Sequence, residues 1–246
     1  MAITHLSASS MDLYNECPLA FMGKYVYGWP MVAPAMQAQA MEVGKAVHTS
    51  IEAHHQGRDA ITALCQSWGT ITIPMPPGLF EKALGMVRCY TADEQLDPRD
   101  VCEEKFSISV PGVSVPVIGY IDRHRGLTVH EYKSTSSPTW WSQDRVDESK
   151  QISLYCMAVG KKNHGAQIEA TCHVLKHHGG EFTHEKYVTT RNKADLQECE
   201  EYVRSTWSAI NTGELRAACR PGKCRFPTRC REYGYVGTDS LELVLT

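Results

Sequence analysis

The hydrophobic residues of this 246-residue chain change period near Val101, from helical spacing before it to strand spacing after it. Met36, Ala40, Val43, Val47 and Ile51 recur at steps of three and four, so they share one helical face, with Gly44, His48 and Glu52 as the adjacent stripe. Residues 79–90 read as a further helix after the Pro/Gly loop at 74–78. Ser9 and Ser10 are expected to cap a helix starting near Met11, and Pro18 suits the first turn of the next, which puts Cys17 at a helix junction. From Val101 the period is two: Phe106, Ile108 and Val110 alternate, as do Val113, Val115 and Val117, then Leu127 and Val129. A helix over about 143–159 precedes a strand over 168–176, a turn at Gly179-Gly180 and a returning strand over 182–189. A last helix is capped by Asn192 and closed by Gly213. Helices, strands, a helix, a hairpin and a helix predict an α/β fold with a mixed central sheet flanked by helices.

Composition narrows the class. Hydrophobic residues are 42% and charged residues 22% of the chain, with no low-complexity tract, which excludes disorder. A chain this long buries roughly 70–75% of its unfolded surface, so one domain over 1–246 needs no disulfides. The first basic residue is Lys24, and the longest stretch free of Asp, Glu, Lys and Arg, 60–80, is broken by Gly69, Pro74, Pro76 and Pro77. Neither a secretory signal nor a membrane span is expected, so the ten cysteines read as reduced cytoplasmic thiols or metal ligands. A net charge of −3 argues against wholesale coating of nucleic acid. The bases are concentrated, however: Arg216, Arg220, Lys223, Arg225, Arg229 and Arg231 occur in a run with no acid. Such a run can hold a polyanion locally, and a solvated basic surface explains the charge equally well. No Walker A sequence and no G-x-S-x-G elbow is present.

The segment from Gly119 to Lys133 carries the chemistry. A two-residue loop at Gly126-Leu127 suits a type II′ turn, and that register sets Asp122 opposite Glu131. Facing carboxylates repel, and a divalent cation is the usual remedy. Lys133, two residues after Glu131, shares its face. Two carboxylates and an ammonium suit phosphodiester hydrolysis, in which a cation polarises the phosphate and the lysine steadies the developing charge. Taken alone, the same residues also suit an exposed hairpin with an ordinary ion pair.

The hairpin resembles the PD-(D/E)XK nuclease signature, with Asp122 as first acid and Glu131-Tyr132-Lys133 as the triplet. Gly44-Lys45-Ala46-Val47-His48 resembles the "G-x-x-x-H" helix of the RecB-like branch, Gln151 through Tyr155 its "Q-x-x-x-Y" helix, and Ser7 through Cys17-Pro18 its N-terminal element. The resemblance implies a restriction-endonuclease-like core at about 36–190. Cluster-bearing segments at 1–35 and 191–246 would be joined by a metal cluster. It implies that His48, Asp122, Glu131 and the Tyr132 carbonyl bind Mn²⁺ or Mg²⁺, with Glu103 or Glu104, Glu104 by preference, as an added acid from the preceding strand. Lys133, Asp122 and Glu131 would be catalytic, and Gln151 and Tyr155 would support the site or touch substrate. Cys17, Cys219, Cys224 and Cys230 would hold a [4Fe–4S] cluster, as in AddB-type and CRISPR-associated exonucleases. Here the C-x4-C-x5-C spacing departs from the common C-x2-C-x5-C, and zinc is the alternative occupant.

The activity so implied is a metal-dependent DNA exonuclease on single-stranded or frayed ends. Arg220, Lys223, Arg225 and Arg229 would contact DNA, with protein partners in a recombination or CRISPR adaptation complex. The setting is the cytoplasm of a prokaryote, or of a host cell for a virus. The rival reading is a catalytically silent DNA-binding or scaffold module that retains the fold and cluster. Trp140-Trp141 reads as a packing pair or a base-stacking one. Beyond a helix-borne zinc site that His55 could form with His48 and Glu52, the remaining histidines receive no role.

Overall fold

The computed structural model describes residues 3–30, 33–163, 166–213 and 226. Cys219, Cys224, Cys230, Arg220, Lys223, Arg225 and Arg229 lie outside the described residues. The elements run α1 (Ala8–Glu16), α2 (Pro18–Tyr25), α3 (Ala35–His55), α4 (Ala60–Gly69), α5 (Leu79–Asp93), β1 (Val101–Ile108), β2 (Val117–Arg125) and β3 (Thr128–Thr135). They continue with α6 (Gln143–Asp147), α7 (Lys150–Lys162), β4 (Ile168–His178), β5 (Glu181–Arg191) and α8 (Lys193–Thr212). The chain divides into two compact units, one of residues 1–33, 107–119 and 197–246, the other of 34–106 and 120–196.

The second unit carries most of a five-stranded sheet of order β1-β2-β3-β4-β5. β2 and β3 are antiparallel, β3 and β4 parallel, and β4 and β5 antiparallel, so the sheet is mixed as expected. The parallel pair requires a crossover, and α6 and α7 supply it. The helix expected over 143–159 is two helices, because Ser149 caps a fresh start by accepting from the Ile152 N–H. Successive β3 residues face opposite ways. Tyr132 enters an apolar core with Val47 and Ile51 of α3, Leu64 of α4, Val87 and Tyr90 of α5 and Leu175 of β4. Lys133, on the other face, meets α7. α4 was not anticipated: its apolar residues fill a stretch that lacks charges, so no polar face marked its period. Gly85 of α5 has no room for a side chain, since a Cβ there would lie 2.3 Å from the Phe182 ring.

In the first unit, α1 begins one turn earlier than Ser9 and Ser10 suggested. Ser7 is the cap, its hydroxyl accepting from the Ser10 N–H while the Ser10 hydroxyl accepts from the Ser7 N–H. Cys17 ends α1 and caps α2, with Pro18 in the first turn. Leu6 forms a parallel bridge with Val117, and the strand expected through Val113 and Val115 starts only at Val117. Asn15 Nδ2 donates to the Tyr202 hydroxyl of α8 at 2.9 Å, and the rings of Trp29 and Phe226 meet edge to face at 5.7 Å.

The sheet face toward α3 and α5 buries His55, His130 and His173. Burial, then the charge of Arg123, brings His55 down to about 4 and His130 to about 2, and burial with the neighbouring His130 depresses His173. An imidazole held neutral in the fold binds fewer protons than its unfolded counterpart below pH 6.5. Its stability contribution is therefore complete above that pH and is lost as pH falls toward 4. We expect stability to drop by roughly 1 kcal/mol per pH unit for each such histidine below about pH 6. Urea titrations at pH 7.5 and 5 test this, and equal midpoints would show that these rings take up protons without cost.

Candidate active site

The β2–β3 hairpin sets the geometry. Arg125 pairs with Thr128, leaving Gly126-Leu127 as the loop. Of the two, only Gly126 has positive φ, +59°, as a type II′ turn requires. Asp122 and Glu131 are the next residues beyond the Arg123–His130 pair, where the ladder ends. Both are buried, at 9% and 2% exposure. The Tyr132 N–H donates to Asp122 Oδ2 at 2.9 Å, and the Lys133 ammonium contacts Glu131 Oε1. Glu131 Oε2 is buried with no hydrogen-bond partner among the described residues.

Two helices complete the group. On α3, His48 Nδ1 lies 3.7 Å from Asp122 Oδ2, and the Tyr132 backbone is within hydrogen-bonding reach of its ring. On α7, Gln151 Oε1 accepts from Lys133 Nζ at 2.9 Å, while Gln151 Nε2 donates to the Tyr155 hydroxyl at 2.8 Å. Gln151 and Tyr155 stand four apart on one helical face, so Tyr155 fixes the amide and the amide fixes the ammonium. Gln151 thus holds the Lys133 ammonium, where the resemblance left open whether it supports the site or touches substrate.

The electrostatics follow from burial. Asp122 is pushed well above the ordinary carboxylate range by desolvation and then by the facing Glu131. Burial draws His48 below its usual value, with Glu131 pulling the other way, so its ring is neutral and offers a lone pair. For Lys133, desolvation favours the neutral amine, but Glu131 and then Asp122 outweigh it, and the ammonium is held more firmly than in water. The group has the donor set of a hard cation: two carboxylates, an imidazole and a backbone carbonyl. The orphaned Glu131 oxygen fits that occupant.

Glu104 is a correction. It accepts from Lys162 Nζ at 2.9 Å and meets His124 Nε2 at 2.8 Å, which commits it elsewhere. The β1 acid that faces the site is Glu103, which lines a cleft of about 490 Å³ with Gly44, His48, Thr49 and Glu52. Glu103 has φ +50°, the one positive value outside glycine among the described residues, and strain of this kind collects at functional sites. Desolvation, then Glu52 and Glu131, raise its carboxyl. Nothing in the residue types separates Glu103 from Glu104; the local backbone turn does. His55 is not part of a helix-borne site with His48, since its two nitrogens meet Asp100 at 2.9 Å and the Tyr90 hydroxyl at 2.6 Å. Trp140 is half exposed with the Arg145 guanidinium 3.9 Å over its ring, and Lys133 Nζ is 5.8 Å from the Trp141 ring.

A family model described as the PD-(D/E)XK nuclease superfamily matches residues 5–231. Among curated proteins none matches the sequence. The crystal structure of a presumed exonuclease from Eubacterium rectale superposes with a TM-score of 0.62 over 93% of this chain and 87% of that one, at 15% identity, a likeness of fold. The crystal structure of SSO0001 gives a TM-score of 0.34 at 11% identity over 68% of this chain and 74% of that one.

Proposed function

Because the chain belongs to the PD-(D/E)XK nuclease superfamily, we propose that it is a metal-dependent DNA exonuclease working on single-stranded or frayed ends. The observation that carries this reading is the buried, unpartnered Glu131 oxygen beside Asp122, His48 and Lys133. His48, Asp122, Glu131 and the Tyr132 carbonyl would hold Mg²⁺ or Mn²⁺. When bound there, that ion supplies Lewis acidity to the scissile phosphate and lowers the pKa of a water. Lys133, kept protonated by its acidic neighbours and aimed by Gln151, donates to the phosphoryl oxygens as negative charge grows on them. Glu103 and Glu52 add negative potential that draws the cation into the cleft. Trp140, half exposed, offers a face on which an unpaired base can stack.

The same reading assigns Cys17, Cys219, Cys224 and Cys230 to a [4Fe–4S] cluster, with zinc as the competing occupant, and Arg220, Lys223, Arg225 and Arg229 to the DNA backbone. Cys17 lies at the α1–α2 junction and is partly buried. We place the protein in the cytoplasm as one nuclease domain, serving DNA end processing, recombination or CRISPR spacer acquisition. Among the described residues no helix is long and apolar enough to cross a membrane.

The test is a digest of end-labelled single- and double-stranded oligonucleotides by anaerobically purified protein with Mg²⁺, Mn²⁺ or EDTA. Metal-dependent cleavage is expected, falling about 10²–10³-fold in Lys133→Ala. DNA binding without cleavage by the metal-loaded chain would instead establish the silent module.

A further inference from the structure

We propose a second metal site, for Zn²⁺ or a similar borderline divalent ion, built from Glu94, His173 and His184 on the sheet face opposite the Glu131–Lys133 pair. It is independent of the nuclease reading. His173 lies on β4, His184 on β5 across the Gly179-Gly180 turn, and Glu94 caps the C-terminus of α5. One ligand atom from each falls within 4.8 Å of the others. Tetrahedral zinc at ~2.05 Å sets its ligand atoms about 3.3 Å apart, so modest side-chain rotations close the triad.

The hydrogen bonding aims the two rings. His184 Nδ1 faces Asp93 Oδ2 at 3.1 Å, and since a carboxylate accepts, that nitrogen carries the proton and Nε2 offers a lone pair. The arrangement is the carboxylate–histidine pairing that orients metal-bound imidazoles. His184 Nε2 lies 2.9 Å from His173 Nδ1, and His173 Nε2 lies 2.9 Å from His130 Nδ1. A divalent ion between His184 Nε2 and His173 Nδ1 requires that His173 and His130 exchange tautomers, each keeping one proton, and that Arg123 Nη2, 3.5 Å from His173 Nε2, give way. In either arrangement His130 Nε2 is buried with no partner among the described residues.

The charges around the rings are mixed, with the carboxylates on the His184 side. Asp93, Glu94 and Asp100 stand against Arg123, Arg125 and Lys186 around the rings, with Asp93 and Glu94 the acids nearest His184. Glu94 is bound to Lys186 Nζ through Oε1 at 2.5 Å, while Oε2 stands 3.6 Å from Arg123, the loosest of its contacts and the one a metal would replace. Arg123 keeps Asp100 at 3.1 Å. Two imidazoles and one carboxylate with a further position for water are a zinc donor set, unlike the oxygen-rich group around Asp122. Such an ion would tie the end of α5 to the β4–β5 hairpin.

The experiment uses the full chain with saturating Mg²⁺ to occupy the carboxylate site. Zinc is added, excess is removed by desalting, and bound zinc and Tm are measured for the parent, Glu94→Gln and His184→Asn. The parent should retain a zinc equivalent that both variants lack. At zinc about a hundredfold above Kd, its Tm should rise by about 5–10 °C, with no such rise in the variants. Glu94→Gln preserves shape and its bond to Lys186, so it answers the question even if His184→Asn folds poorly. Cobalt in place of zinc separates this site from the cysteines, because the parent-minus-variant spectrum should lack thiolate charge transfer. Equal zinc retention and equal Tm shifts in parent and Glu94→Gln would overturn the proposal, as would a difference spectrum with a thiolate band.

Discussion

Glu131→Gln is expected to lower metal-dependent DNA cleavage by about 10³-fold or more while leaving the metal-free protein at least as stable as the parent. The first effect follows from losing a charged ligand in a site that must stabilise several kcal/mol of transition-state charge, where each ~1.4 kcal/mol is tenfold in rate. The second follows from burial. Glu131 and Asp122 are like charges facing each other with almost no water, and Asp122 is already driven toward its neutral form. An amide at 131 removes that repulsion, and Lys133 keeps Asp122 and Gln151 as neighbours. The added Mg²⁺ that stabilises the parent should then do little for the variant. Melting curves with and without Mg²⁺, run beside the digest, decide both points. A variant with more than a tenth of parental cleavage, or one much less stable without metal, would mean that Glu131 is an ordinary ion-pair residue.

Arg123→Met is expected to destabilise the protein by about 3–5 kcal/mol, the cost of leaving a buried charge without its partner. Arg123 is 1% exposed and donates to Asp100 Oδ2 at 3.1 Å, and the Asp100 side chain has no exposure at all. His55, at 2.9 Å from the same carboxylate, is held neutral and cannot replace the lost charge, and Arg125 comes no nearer to Asp100 than 3.9 Å. The double variant Arg123→Met, Asp100→Asn should recover much of the loss, since it removes both ions together. Urea denaturation of the three chains measures it. A single-variant loss below about 1 kcal/mol would show that water reaches Asp100 freely.

Much of the fold was legible because the side-chain periods are local. The 3.6 repeat through Val43, Val47 and Ile51 and the twofold repeat through β2–β5 come from steric rules that neighbouring residues state by themselves. The two-residue turns at Gly126 and Gly179 then determine register, which brings Asp122 and Glu131 to the end of the β2–β3 ladder. Two elements carry only a weak local signal. α4 has no charges to mark a polar face, and the break at Ser149 depends on a cap inside an otherwise continuous apolar pattern.

By itself, then, the sequence determined the hairpin, its two acids and lysine, and the helical stripe bearing His48, because each rests on spacing within one element. Only the tertiary structure decided which acid of β1 faces the cleft, since a single left-handed residue turns Glu103 inward while Glu104 is taken by Lys162 and His124. It also decided that Gln151 holds Lys133 and that three histidines without any sequence motif, His130, His173 and His184, line up on the other sheet face. Those relations join residues tens of positions apart, and their partners are chosen by packing, about which the period of a single strand or helix carries no information.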